Sequence, residues 1–261
     1  MFSIKCLIRL CLFSLLFFHH FASAIVNIES KRADPGAQEE GFEGFVNVDI
    51  SGDNGNTKES DLALSVQLNW AGKNDSDLLM LNYAYGETAN VKDTDQSFLH
   101  YRHVWLARET VSYEAFTQLE TNEFTRLKLR SLLGGGIRLK LDLPNQQHSV
   151  YLGVGLFRSR EDLDPLISGG AVIEDYATRL NSYLVYRYHL NEHVRLLNML
   201  YYQPDVSEFG DYRLLEQLAI KVALNKSLSL TVSVDVAHDS RPPENVETTD
   251  TSYRTGFEYR F

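Results

Sequence analysis

Charged side chains of both signs recur at alternate positions along much of this sequence: Glu114, Glu120, Lys128, Arg130, Arg138, Arg179, Arg187, Lys221, Asp235, Arg254 and Glu258. Gathered on one surface, they could line an ion-conducting lumen and set its selectivity. In a narrower space they would instead pair with one another and fill it. A second group is His238-Asp239-Ser240. In an extended strand, His238 and Ser240 share a face, so the imidazole could take the hydroxyl proton and activate it for ester hydrolysis of the lipase type. These are also common loop residues, and Arg241-Pro242-Pro243 follows directly. A third group, Glu161, Asp162, Asp164, Glu174 and Asp175, offers oxygen ligands for a divalent cation or a calcium bridge to lipopolysaccharide. Its spacing matches no defined calcium loop, so no metal is assigned.

Composition narrows the field. Cys6 and Cys11 are the two cysteines, both within the first 24 residues, so the rest of the chain has no disulfide, thiolate metal site or cysteine nucleophile. The formal charge is −10 and no basic stripe is present, which argues against nucleic acid as a partner. Gly134-Gly135-Gly136 lies inside an alternating pattern and does not open a helix, so it is not a phosphate loop. No cofactor is expected.

The elements that must carry these charges are strands, because a spacing of two is the strand period. Alternation is visible over 44–50, 60–70, 77–86, 97–107, 113–120, 127–140, 149–157, 178–190, 194–203, 211–224, 228–237 and 251–261. The clearest run places Leu62, Leu64, Val66, Leu68 and Trp70 against Ala63, Ser65, Gln67 and Asn69. In 194–203 both faces are largely apolar, and the sequence does not choose between them.

About twelve strands are expected, an even number, as a single-chain barrel with both ends on one side of a membrane requires. The links 71–75, 108–112, 142–147, 191–193 and 225–227 are short, whereas 87–96, 158–175 and 238–250 are long. Among the links on the long side, 121–126 is a short exception. Short turns on one side and long loops on the other suit an all-β antiparallel transmembrane barrel better than a soluble sandwich. Overall hydropathy does not oppose this, since only alternate residues face lipid.

The first residues read as an export signal. Lys5 and Arg9 precede an apolar run, and Ala22-Ser23-Ala24 supplies small residues for cleavage after Ala24. The run is too short to be a permanent anchor, and His19 and His20 interrupt it. The expected organisation is therefore a signal peptide over 1–24, a polar periplasmic lead-in over 25–43 and a barrel over 44–261.

The final strand places Tyr253, Phe257, Tyr259 and Phe261 on one face and Arg254, Gly256, Glu258 and Arg260 on the other. This resembles the closing strand of bacterial outer-membrane barrels, and the resemblance implies that these aromatics are read by the barrel-assembly machinery. More specifically, residues 25–30, 122–136, 201–204 and 239–243 resemble the YdiY-like family of salt-induced outer-membrane proteins. That resemblance implies residence in the outer membrane of a Gram-negative bacterium, with its lipid and lipopolysaccharide as partners, and a link to salt or osmotic stress. It brings no catalytic residues. The expected role is an envelope protein, either a narrow pore for small ions or solutes or a structural barrel, with a lipase using His238 and Ser240 as the alternative.

Overall fold

The computed structural model describes residues 40–54, 58–145, 147–165 and 170–261. The expected signal peptide, and the lead-in as far as residue 39, lie outside the described residues. The chain forms twelve strands: β1 (Gly41–Asn54), β2 (Lys58–Ala71), β3 (Asp75–Thr88), β4 (Val91–Arg108), β5 (Val111–Asn122), β6 (Leu127–Leu141), β7 (His148–Leu163), β8 (Ile173–His189), β9 (Val194–Pro204), β10 (Tyr212–Ala223), β11 (Leu228–Asp239) and β12 (Thr249–Arg260). Each pairs antiparallel with its neighbours in sequence, and β12 returns to β1 to close a barrel. The strands thus begin at Gly41, slightly before the alternation becomes visible.

Which face each residue takes follows from the period of two. Leu62, Leu64 and Trp70 stand exposed on the outer wall, while Gln67 and Asn69 of the same strand are buried inside. Val154, Leu156, Leu218, Ile220 and Val232 are likewise exposed outside. An outer wall this apolar has hydrocarbon as its natural solvent. In the ambiguous segment the structure chooses: Met199 and Tyr201 of β9 are buried inside, and Leu200 and Tyr202 are exposed.

At the long-loop end the strands run further than alternation indicates. Residues 87–96, expected to be a loop, continue β3 and β4 to the two-residue turn Ala89-Asn90, whose φ values of 54° and 61° suit a tight hairpin. Likewise β7 and β8 stay paired as far as Leu163 opposite Ile173. Beyond the apolar band both strand faces can meet water, so the pattern fades while backbone pairing continues. The short turn after β5 is a 3₁₀ turn, Glu123–Thr125, capped by Asn122, which accepts the Phe124 and Thr125 N–H groups at 3.1 and 3.2 Å.

Just after it comes a bulge. Leu127 faces Leu163 and Leu129 faces Asp162, so Lys128 has no place opposite β7. Leu127 is turned inside and Lys128 is left exposed. Lys128 therefore departs from the expected inward row, because the bulge shifts the phase of the strand at that residue.

The core of this fold is the lumen itself. Tyr151, Tyr183, Val185, Met199, Tyr201, Leu215 and Ala237 form one buried cluster, and Leu78, Met80 and Phe98 another. Gly153 makes the first possible: a Cβ there would lie 2.0 Å from the Tyr183 ring.

Closure of the barrel is uneven. β11 and β12 are in register from Leu228–Tyr259 to His238–Thr249. Among the described residues, the register of β1 with β12 is Phe45–Arg260 and Val46–Tyr259. Below these, Gly44 and Phe261 exchange backbone hydrogen bonds of 3.1 Å.

Candidate functional site

The candidate site is the charged interior of the barrel, arranged in layers. Near the long-loop end, five side chains link one wall to the other. Glu120 of β5 accepts from Arg130 Nη1 at 3.1 Å. Arg130 of β6 also grips Glu161 of β7, through Nε at 2.9 Å and Nη2 at 3.3 Å. From the far side Arg213 of β10 donates to the same carboxylate, Nη1 at 2.7 Å and Nη2 at 3.1 Å. Its Nε donates to Asp239 of β11 at 2.9 Å. All five residues are buried. Charges alternate in sign along the chain, so each buried ion has an opposite neighbour and its hydrogen bonds, the condition under which such burial is tolerated.

A second group lies nearer the short-turn end. Glu114 of β5 accepts from Arg102 Nη1 of β4 at 3.2 Å and, through its other oxygen, from the Tyr183 hydroxyl of β8 at 2.9 Å. Arg138 lies over the Tyr151 ring at 4.1 Å and Arg187 over the same ring at 5.2 Å. Back at the long-loop end, Arg179 pairs with Asp211 Oδ1 at 2.8 Å and donates to the Gln203 and Asp211 carbonyls. Toward β12, Asp235 accepts from Gln217 and pairs with Arg254 at 3.1 Å, and Lys221 pairs with Glu258.

Of the charges expected inside, Glu114, Glu120, Arg130, Arg138, Arg179 and Asp235 are buried, and Arg187, Lys221 and Glu258 are half-buried. Arg254 lies in the inward row of β12 but is exposed, and Lys128 sits on its bulge. Four members of the network had no place in that expectation: Arg102, Glu161, Arg213 and Asp239. The sequence offers Glu161 as a cation ligand in a loop, yet it continues the inward row Gly153, Gly155, Phe157 and Ser159 of β7. Counting that parity onward would have found it, and the same count from Asp235 through Ala237 reaches Asp239. Of the other acids in that group, Asp162 and Glu174 both pair with Arg160. Among the described residues no grouping of His, Cys, Asp and Glu could hold a metal ion.

The His238–Ser240 arrangement depends on the strand continuing to residue 240, and β11 ends at Asp239. His238 Nδ1 lies 2.8 Å from the Thr249 hydroxyl on the outer face, its ring beside Tyr212. Ser240 Oγ accepts the Tyr212 N–H at 2.8 Å and donates to the Gly210 carbonyl at 3.1 Å, bracing two loops. The two side chains are engaged with different partners.

Above the ion-pair chain, residues of the last loop, including Pro242, Pro243 and Val246, complete a cavity with Leu127, Arg130 and Glu161. Arg126 holds that loop over the mouth by donating to the Glu244 carbonyl at 3.2 Å. The arrangement can therefore neutralise, bridge and obstruct the interior.

An apolar outer wall, a charged and aromatic interior and complete antiparallel closure define a twelve-stranded barrel of the outer-membrane type. The NanC porin structure shares this architecture, with TM-score 0.51, 9% identity and coverage of 83% of this chain and 98% of that chain. The translocator domain of autotransporter NalP from Neisseria meningitidis aligns with TM-score 0.49 and 14% identity, over 86% of this chain and 90% of that chain. The KdgM porin gives TM-score 0.43 and 16% identity, over 84% and 99%. At 9% identity the likeness to the NanC porin is one of fold. Residues 47–261 match the family described as "Protein of unknown function, DUF481", and the chain belongs to that family. No curated protein matches it in sequence.

Proposed function

We propose that this protein is a YdiY-like envelope barrel of the Gram-negative outer membrane, closed along its axis at rest and serving as a structural barrel in preference to an open porin. The observation that supports this most is Glu161, held from one wall by Arg130 and from the other by Arg213. A twelve-stranded barrel lies between eight-stranded ones filled by side chains and sixteen-stranded ones with open channels, so its interior contents decide the matter. Here charge pairs occupy one layer and Arg102, Glu114, Tyr183 and Arg138 another.

On this reading the signal peptide is cleaved, the long-loop end faces outward, and lipid and lipopolysaccharide contact the apolar wall. The assembly machinery reads Tyr253, Phe257, Tyr259 and Phe261. A role under salt or osmotic stress is carried by the family resemblance and belongs to the proposal. Small ions cross only when the charged layers part.

The test is planar-bilayer conductance of the refolded protein, its folding checked by heat-modifiable gel mobility. Silence is expected from the wild type, and steady current from Arg130→Ala/Arg213→Ala. A steady current from the folded wild type at neutral pH overturns the proposal.

A further inference from the structure

With the axis obstructed, the seam between β1 and β12 is where the described wall is weakest. Its register stops at Val46–Tyr259. One residue further on, the Asn47 side-chain amide can donate to the Phe257 carbonyl at 2.9 Å, where a ladder would have used a backbone donor. Below, the latch is tight. Gly44 has the Phe261 ring directly over it, so that a Cβ would come within 2.3 Å of ring carbons. The seam is thus fastened at the short-turn end and leaves its registered pairing above it.

Two features meet along the parted stretch. Inside, a Cβ on Gly256 would find nothing within 4 Å. Arg254, next in the same inward row, has a side chain 64% exposed although its neighbour Ser252 is buried. Its guanidinium touches Asp235 at 3.1 Å and Ser252 Oγ at 3.5 Å, both through Nη2. Outside, Val48, Tyr253 and Phe257 are exposed and apolar. A cationic fork therefore lies behind a parted wall whose outer lip is greasy. In hydrocarbon, strand edges without ladder partners are costly and call for a polar occupant or water.

We propose that the β1–β12 seam is a lateral port, and that it admits from the membrane a single-chain amphiphile whose anionic head binds Arg254 while its tail rests on Val48, Tyr253 and Phe257. A carboxylate or phosphate head suits a guanidinium fork. A cationic head does not, because it would meet the like charge of the exposed guanidinium, and a zwitterionic head brings that guanidinium no net charge. This inference rests on the closed axis proposed above, and the two fail separately: current through the wild type removes the closed axis, whereas the port is judged by binding.

The probe is a dansylated medium-chain fatty acid, titrated into the refolded barrel in neutral detergent, with the matching dansylated alkylamine as control. Saturable fluorescence enhancement is expected with the acid and not with the amine. Arg254→Gln should weaken it about tenfold, a loss typical of one charge-assisted contact. In Ile50→Cys/Thr255→Cys, two positions outside the proposed contacts that would face each other if the register continued, oxidation should abolish binding and reduction restore it. Each variant is first shown to be folded by heat-modifiable mobility. Equal binding of acid and amine, no saturable binding of the acid, or acid binding unchanged by Arg254→Gln or by the disulfide overturns the proposal. A phosphate-headed probe competing with the acid identifies a lipid headgroup as occupant, and failure to compete identifies a free fatty acid.

Discussion

Replacing Arg213 with methionine keeps most of the stem and removes only the charged fork. Three bonds go with it: two to Glu161, at 2.7 and 3.1 Å, and one to Asp239, at 2.9 Å. Hydrogen bonds to charged groups contribute about 1.5–3 kcal/mol each, so their simple sum is too large to be the net effect. Breaking a buried pair by deleting one partner costs about 3–5 kcal/mol, chiefly through the charge left behind. Glu161 keeps Arg130 at 2.9 Å, which softens the loss. A net cost of about 2–4 kcal/mol follows, to be read from urea unfolding of the barrel in lipid vesicles. The second arm is Arg213→Met/Glu161→Leu, which removes both charges from this pair. It should be less destabilised than the sum of the two single changes by more than about 1 kcal/mol, the signature of direct coupling. An Arg213→Met cost under about 0.5 kcal/mol with additive behaviour would mean that the charges are exposed to bulk water, and would refute both the pairing argument and the closed axis.

Gly153→Val would bring a side chain into the space of the Tyr183 ring, 2.0 Å from the position of its Cβ. The expected cost is about 1–3 kcal/mol by the same unfolding assay, with loss of the Tyr183–Glu114 bond, and Gly153→Val/Tyr183→Phe should recover little because the ring remains. In the loops, Arg241 binds Glu208 and holds its carboxyl below the usual range. A lowered folded value means that this tie is present above the unfolded carboxylate range and fades as pH falls through Glu208's folded value. Proteolysis of the 205–211 and 240–248 loops should therefore accelerate in acid, and Glu208→Gln should be cut at the fast rate at every pH. An unchanged acid response in that variant would refute the assignment.

How much of this was written in the sequence depends on the solvent each residue meets. Between Ser60 and Trp70 one face meets lipid and the other the interior, so the two-residue period is strong and the strand is legible. From Glu87 to Gln96 it is not, because polar residues serve both faces once the hairpin leaves the apolar band. Lys128 misled because a single extra residue inverts the phase, and nothing local in Leu127-Lys128-Leu129 marks the bulge. Arg130 and Glu120 were identifiable as inward residues by parity alone. That Arg130 shares Glu161 with Arg213 was not, since partners on β7 and β10 are brought together by the stagger of strands around the barrel, a property of closure that no window of sequence contains. The family resemblance carried an address and a stress association, while the contents of the lumen had to come from the fold.

The chain from Glu120 to Asp239 also bears on mechanics. Backbone pairing fixes the circumference of a barrel far better than its roundness. Five ionic side chains drawn across the interior fix one chord, tying β5, β6 and β7 to β10 and β11. The arc from β12 through β1 to β4 has no member in that tie. In-plane tension in the membrane would then be resisted on the braced side and yield on the other, where the β1–β12 seam lies. A barrel braced in this way has a stiff half and a compliant half.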